Sequence, residues 1–118
     1  MYWTQIDERV VGDVVILDLR GRMTVSEESK PAADSVRRLL LERRTKILLN
    51  LAHVPFIDSV GIGDIVRAFT ATQRAGGVLT LCGVNDRIRA VLDATQLSSV
   101  IDSFESEQLA LDSFRGSR

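Results

Sequence analysis

Residues 47–63 read Ile47-Leu48-Leu49-Asn50-Leu51-Ala52-His53-Val54-Pro55-Phe56-Ile57-Asp58-Ser59-Val60-Gly61-Ile62-Gly63. Ile47 to Leu51 form a short, nearly continuous apolar run, the pattern of a strand buried on both faces in a sheet covered by helices. A loop containing His53 and Pro55 leads to Asp58-Ser59. A helical period follows, with Ile62, Ile65, Val66 and Phe69 at i, i+3, i+4 and i+7. A buried strand, a short loop and an amphipathic helix in that order mark an α/β unit.

Outward from this junction the alternation continues. Gly76-Gly77 closes the helix, because glycine readily takes the left-handed conformation beyond a helix C-terminus. Val78 to Cys82 is a second buried strand. Asn85 or Asp86 can cap a short helix bearing Ile88, Val91 and Leu92. Val100-Ile101 is expected as a last short strand, and Phe104, Gln108, Leu111 and Phe114 as the stripe of a final helix. Upstream, Ala33, Val36, Leu39 and Leu40 recur at helical spacing, with Pro31 in an early turn where its missing N–H matters least. Before that, Gln5–Val11 and Val14–Leu19 flank Gly12-Asp13 as a hairpin. Both faces of the second hairpin strand are apolar, which suits a central position.

The expected order is β-β-α-β-α-β-α-(β)-α. Strands alternating with helices imply a mixed or largely parallel sheet of four to five strands with helices packed against it. The chain of 118 residues, 45% apolar and 26% charged, suits one domain over residues 1–118 with a core at about 5–114. The net charge of −1 supplies no global field towards nucleic acid or anionic lipid. Arg37, Arg38, Arg43, Arg44 and Lys46 read as a solvated helix face rather than a nucleic-acid stripe. No run approaches the ~18 apolar residues of a membrane span, and no signal peptide is visible at Met1-Tyr2-Trp3-Thr4. A single cysteine, Cys82, excludes an internal disulfide and suits a reducing, cytoplasmic compartment.

The residues for catalysis are sparse. His53 is the only histidine, so any Ser–His or Cys–His pair must use it. One histidine and one cysteine without local spacing do not build a zinc site, so no metal is expected. Cys82 lies in an apolar run and reads as a buried, inert thiol. Gly61-Ile62-Gly63 fails as a dinucleotide fingerprint because Val66 stands where the third small residue belongs. The Gly-Lys-Ser/Thr of a phosphate loop is also absent. No cofactor is implied. The simplest role for Gly61 and Gly63 is to let the first helical turn pass close to a neighbouring strand.

That leaves the helix start. Asp58 or Ser59 can accept a hydrogen bond from an orphan backbone N–H there. A Ser59 hydroxyl held at the surface could equally receive a phosphate, which the helix dipole and free N–H groups would tolerate. A partner packed over that spot would instead meet about −1.5 to −2 of new charge. Asp58 and Asp64 are expected to sharpen the repulsion.

At this junction the sequence resembles the STAS family, the domain of bacterial anti-sigma factor antagonists. The family's Asp-Ser-Ser/Thr-Gly-Leu/Ile-Gly segment is matched by Asp58-Ser59-Val60-Gly61-Ile62-Gly63. The buried strand and loop ending at Phe56-Ile57 precede it, and Gly76-Gly77 before Val78–Leu81 follows it. The resemblance implies the STAS fold and a protein that is not an enzyme. It implies that Ser59 is the phosphorylation target and that Asp58, Ser59, Val60, Gly61 and Ile62, with Thr24, meet the partner. It further implies an anti-sigma factor serine kinase of the histidine-kinase-like ATPase fold as partner, and a PP2C-type phosphatase that restores the unphosphorylated form. No direct nucleic-acid contact or membrane insertion is implied.

Two positions depart from the family pattern. Val60 replaces the usual second hydroxyl residue, so Ser59 is the one hydroxyl offered. Gly21-Arg22-Met23-Thr24 places Thr24 where many members carry Asp, and this bears on the identity of the kinase partner. The competing class is a STAS interaction module without phosphorylation, such as a transporter subunit or a scaffold in stress signalling. A small nucleotide-binding domain is a third class, unsupported by any phosphate loop.

Overall fold

The structure is a computed structural model that describes residues 3–21 and 31–115. Strand β1 (Trp3–Val11) turns through Gly12-Asp13 into β2 (Val14–Gly21), with Val11 opposite Val14 and Ile6 opposite Leu19. Helix α1 (Pro31–Leu41), strand β3 (Lys46–His53), helix α2 (Ser59–Arg74), strand β4 (Val78–Cys82) and helix α3 (Asp86–Ala94) follow. A two-residue strand, β5 (Ser103–Phe104), and helix α4 (Glu107–Arg115) complete the described chain.

The five strands lie in the order β1-β2-β3-β4-β5. β1 is antiparallel to β2, and every other neighbouring pair is parallel. This is the mixed, helix-covered sheet expected from the alternation of periods. Side chains of a strand alternate between faces, so β2 and β3 each feed two cores. Val15, Leu17 and Leu19 of β2 join Ile47, Leu49 and Leu51 of β3 in the larger core, which the apolar faces of α1, α2 and α3 cover. Val14, Ile16, Leu48 and Cys82 meet Ala110 and Phe114 of α4 in the smaller one. Leu17, Leu39, Ile47, Leu49 and Ile65 are each at most 1% exposed, and each such side chain contributes about 1.5–3 kcal/mol through burial.

Helix α2 ends as expected. Gly76 takes φ +76° just past the last turn, and Gly77 runs so close to Thr45, the residue before β3, that a Cβ there would clash with the Thr45 carbonyl oxygen. Pro31 is the first residue of α1, the position its ring favours. Asn85, rather than Asp86, caps α3 by accepting from the Ile88 N–H at 2.8 Å.

The C-terminal part differs from the sequence reading. Val100-Ile101 is not a strand: the Ile101 N–H donates to the Leu97 carbonyl at 2.9 Å within a turn, Val100 is exposed, and Ile101 is buried. The strand lies three residues later, at Ser103–Phe104, and is too short to carry a period. Phe104 therefore belongs to the sheet, and α4 is anchored by Ala110 and Phe114. His53, read as a loop residue, is the last residue of β3.

Candidate functional site

The parallel strands β2, β3 and β4 finish at the same end of the sheet, and α2 begins there, after β3. The approach to α2 is fastened from two directions. The Asn85 amide donates to the carbonyls of Val54 and Pro55, at 3.4 and 3.0 Å, while the Arg87 guanidinium lies over the Phe56 ring, 5.6 Å from its centroid. Ile57 is then buried against the core. These contacts deliver Asp58 in an extended conformation, φ −105° and ψ −172°, as the N-cap.

The sequence left Asp58 and Ser59 as alternatives for the cap, and the geometry assigns it to Asp58. Its Oδ1 accepts from the backbone N–H groups of Val60 and Gly61, each at 3.0 Å. Its own carbonyl accepts the first helical bond, from the Ile62 N–H at 2.9 Å. Ser59 is consequently free of capping duty. It is the first residue of α2, it is exposed, and among the described residues its hydroxyl makes no hydrogen bond. Val60 beside it is half-buried, whereas Gly61 and Ile62 are buried. Ile62 packs into the larger core, where it seats the helix. Thr24 lies outside the described residues.

Asp64 overturns one expectation. Its carboxylate does not stand beside Ser59 to add repulsion. It is 3% exposed and points across to the start of α1, where Oδ2 accepts from the Ala32 N–H and Oδ1 from the Ala33 N–H, both at 2.9 Å. Pro31 has no N–H to offer, so this one side chain satisfies the next two orphan donors of α1. Burial pushes the Asp64 carboxyl above the usual carboxylate range, against the two backbone hydrogen bonds that favour its charge. The aspartate is a clamp that sets α1 against α2.

Gly63 also differs from expectation. A Cβ there would meet no strand; the nearest atom is a guanidinium nitrogen of Arg67 at 3.2 Å. The Arg67 side chain thus folds back along α2 over the space that Gly63 leaves open.

The catalytic candidates come apart. His53 is exposed at the end of β3. Cys82 is buried on the α4 side, where burial, followed by the nearby carboxylates of Glu107 and Asp18, pushes its thiol up to about 12. It is protonated at neutral pH and unsuited to nucleophilic attack. Among the described residues no group of three or more His, Cys, Asp or Glu side chains could hold a metal ion, and no helix is long and apolar enough to cross a membrane.

Sequence reasoning missed a polar network on the α4 side of the sheet. Arg9 of β1 forks onto Asp18 of β2, at 2.6 and 3.0 Å, and onto Glu107 of α4 at 2.7 Å. The Asn50 amide donates to Asp18 at 2.7 Å. The Arg9 guanidinium, with Asn50 adding to it, holds the Asp18 carboxyl below the usual carboxylate range against the cost of burial. Arg9 and Glu107 are 98 residues apart, and no local spacing announces such a pair.

The STAS domain family matches residues 5–110, and the chain belongs to that family. Among its relatives, a candidate anti-sigma factor antagonist of Thermotoga neapolitana is 29% identical over 108 residues, 92% of this chain and 96% of that protein. The anti-sigma-B factor antagonist of Bacillus subtilis is 32% identical over 63 residues, 53% of this chain and 58% of the relative. The crystal structure of a candidate anti-sigma factor antagonist of Thermotoga maritima superposes with a TM-score of 0.81 at 25% identity, covering 93% of this chain and 94% of the other. The chain is an anti-sigma factor antagonist-like STAS protein with the α/β fold of that family.

Proposed function

We propose that this chain is an anti-sigma factor antagonist, acting in the cytoplasm as a single STAS domain and switched at Ser59. Its unphosphorylated form binds an anti-sigma factor that is also a serine kinase of the histidine-kinase-like ATPase fold, and a sigma factor is released. The kinase transfers the γ-phosphoryl group of ATP to the Ser59 Oγ, leaving ADP and a phosphoserine that no longer fits the partner. A PP2C-type phosphatase hydrolyses the ester and restores the binding form. The catalytic chemistry belongs to those partners.

One observation carries this reading: the Ser59 hydroxyl is exposed and unbonded at the start of α2 while Asp58 does the capping. A hydroxyl spent on capping would have to leave its N–H partner before reacting; this one does not. A phosphate added there meets the positive end of the helix, so the domain itself keeps its fold. A partner packed over Ser59, Asp58 and Val60 meets the new charge without compensation. The relatives among anti-sigma factor antagonists support the partner class.

Calorimetry with the anti-sigma factor from the same genome tests the switch. Ser59→Ala is expected to bind as the parent does, and Ser59→Asp to fold normally while losing at least about tenfold in affinity. Binding of Ser59→Asp with unchanged affinity would overturn the switch and favour a phosphorylation-independent interaction module.

A further inference from the structure

Between the outer faces of α1 and α2 lies an open groove of about 490 Å³, lined by Arg37, Val66, Arg67, Thr70, Ala71 and Arg74. Three arginines therefore border one concavity in a chain whose net charge is −1. Five of the nine other cations among the described residues are paired with carboxylates: Arg9 with Asp18 and Glu107, Arg20 with Asp7, Arg38 with Glu8 and Glu42, Lys46 with Asp13, and Arg115 with Asp112. In the groove only Arg37 has a close carboxylate, the exposed Asp34 at 3.6 Å. Arg67 feels the buried Asp64 carboxylate at longer range, but neither it nor Arg74 forms an ion pair among the described residues. Like charges gathered in one cleft repel, and a guanidinium presents a planar fork suited to a carboxylate.

We propose that this groove is a docking surface for an acidic segment of a partner protein, carboxylates on Arg37, Arg67 and Arg74 and an apolar side chain against Val66 and Ala71. The half-buried Val66 and Ala71 between the arginines give the cleft an apolar floor, which a polyphosphate chain or a lipid headgroup layer does not need. Three cations are also few for nucleic acid, where affinity scales with the number of phosphates neutralised.

The groove is continuous with the start of α2. Ser59, Gly63, Arg67, Thr70 and Arg74 recur at i, i+4, i+8, i+11 and i+15 along one side of the helix. Arg67 leans towards Ser59 because Gly63 leaves room for it. The groove itself does not depend on the Ser59 switch; its coupling to Ser59 rests on the proposed function. A phosphate at Ser59 would draw Arg67 away from an acidic occupant, since the Arg67 guanidinium reaches back to Gly63, about 6 Å along the helix axis from Ser59 and within the Debye length of about 8 Å at physiological salt.

The probe is a synthetic amphipathic peptide with glutamates flanking one leucine, titrated into the full chain and followed by amide chemical shifts. Expected are saturable shifts at Arg37, Val66, Thr70 and Arg74, at least about tenfold weaker binding for an Arg67→Glu/Arg74→Glu double variant, and recovery with a lysine version of the peptide. Arg67→Gln/Arg74→Gln serves if the reversed pair does not fold. The proposal is overturned by shifts elsewhere or none at millimolar peptide. Equal binding of a glutamine version, or tighter binding of single-stranded DNA or of vesicles containing phosphatidylserine, also overturns it. Ser59→Asp separates the two ideas: peptide binding that survives in the parent but is unchanged by Ser59→Asp leaves the groove standing and removes its coupling to the switch.

Discussion

The starts of α1 and α2 use the same chemistry to opposite ends. Each has one aspartate carboxylate accepting from two backbone N–H groups. At α2 the acceptor is local: Asp58 immediately precedes the helix, is partly exposed, and leaves the neighbouring Ser59 hydroxyl open to solvent. At α1 the acceptor comes from another helix: Asp64, more than thirty residues away in sequence, is almost wholly buried. The local cap organises a surface and the remote one organises a fold. Burial makes the difference, because an orphan N–H at the surface can turn to water whereas one inside the protein cannot.

The strongest way to break the comparison is Asp64→Ala. It strands two buried donors, and we expect a loss of about 3 kcal/mol or more, read as a lower urea midpoint with an unchanged slope. A loss as small as that of an ordinary surface cap would show that water replaces the carboxylate and that the clamp is not structural. Asp58→Ala should cost about 1 kcal/mol, the usual worth of an N-cap, by the same measurement. Ser59→Asp and Ser59→Ala should each change stability by less than about 0.5 kcal/mol, as surface substitutions do; a larger change would mean that Ser59 has a structural duty.

The pH dependence sharpens the contrast between carboxyls. The folded state raises the Asp64 carboxyl above its unfolded value, so native Asp64 holds its proton more readily than the unfolded chain does. The stability linked to that group is fully present below the unfolded value of about 3.9 and is lost as pH rises through the folded value. The deficit of Asp64→Asn should therefore be largest in acid and shrink towards neutrality. Asp18, held low by Arg9, runs the other way. Its contribution is present above about pH 4 and is lost as pH falls through the folded value, so the deficit of Asp18→Asn should vanish in acid. Urea midpoints measured across pH 3–7 read both slopes.

Much of the site was legible because its determinants are local. The apolar run at Ile47–Leu51, the helical period after Ser59 and the terminating glycines each declare themselves within a few residues. The expected misreadings occurred where the signal was too short or the partner too distant. Ser103–Phe104 has two residues and no period to read. Asp64, seen along the chain, is one more acidic residue near Ser59, and only the packing of α1 on α2 turns it inward. Gly63 looked like a close-packing glycine, yet its neighbour is the flexible Arg67.

By itself the sequence determined the element types, their order and the Asp58-Ser59 junction, because period, capping and turn chemistry act over one to three turns of chain. Tertiary structure alone decided which carboxylate caps which helix, that Ile62 faces the core, that Arg9 bridges β1, β2 and α4, and that three arginines from two helices share a groove. Those outcomes depend on distances between residues far apart in sequence, which exist only once the sheet has brought the helices together.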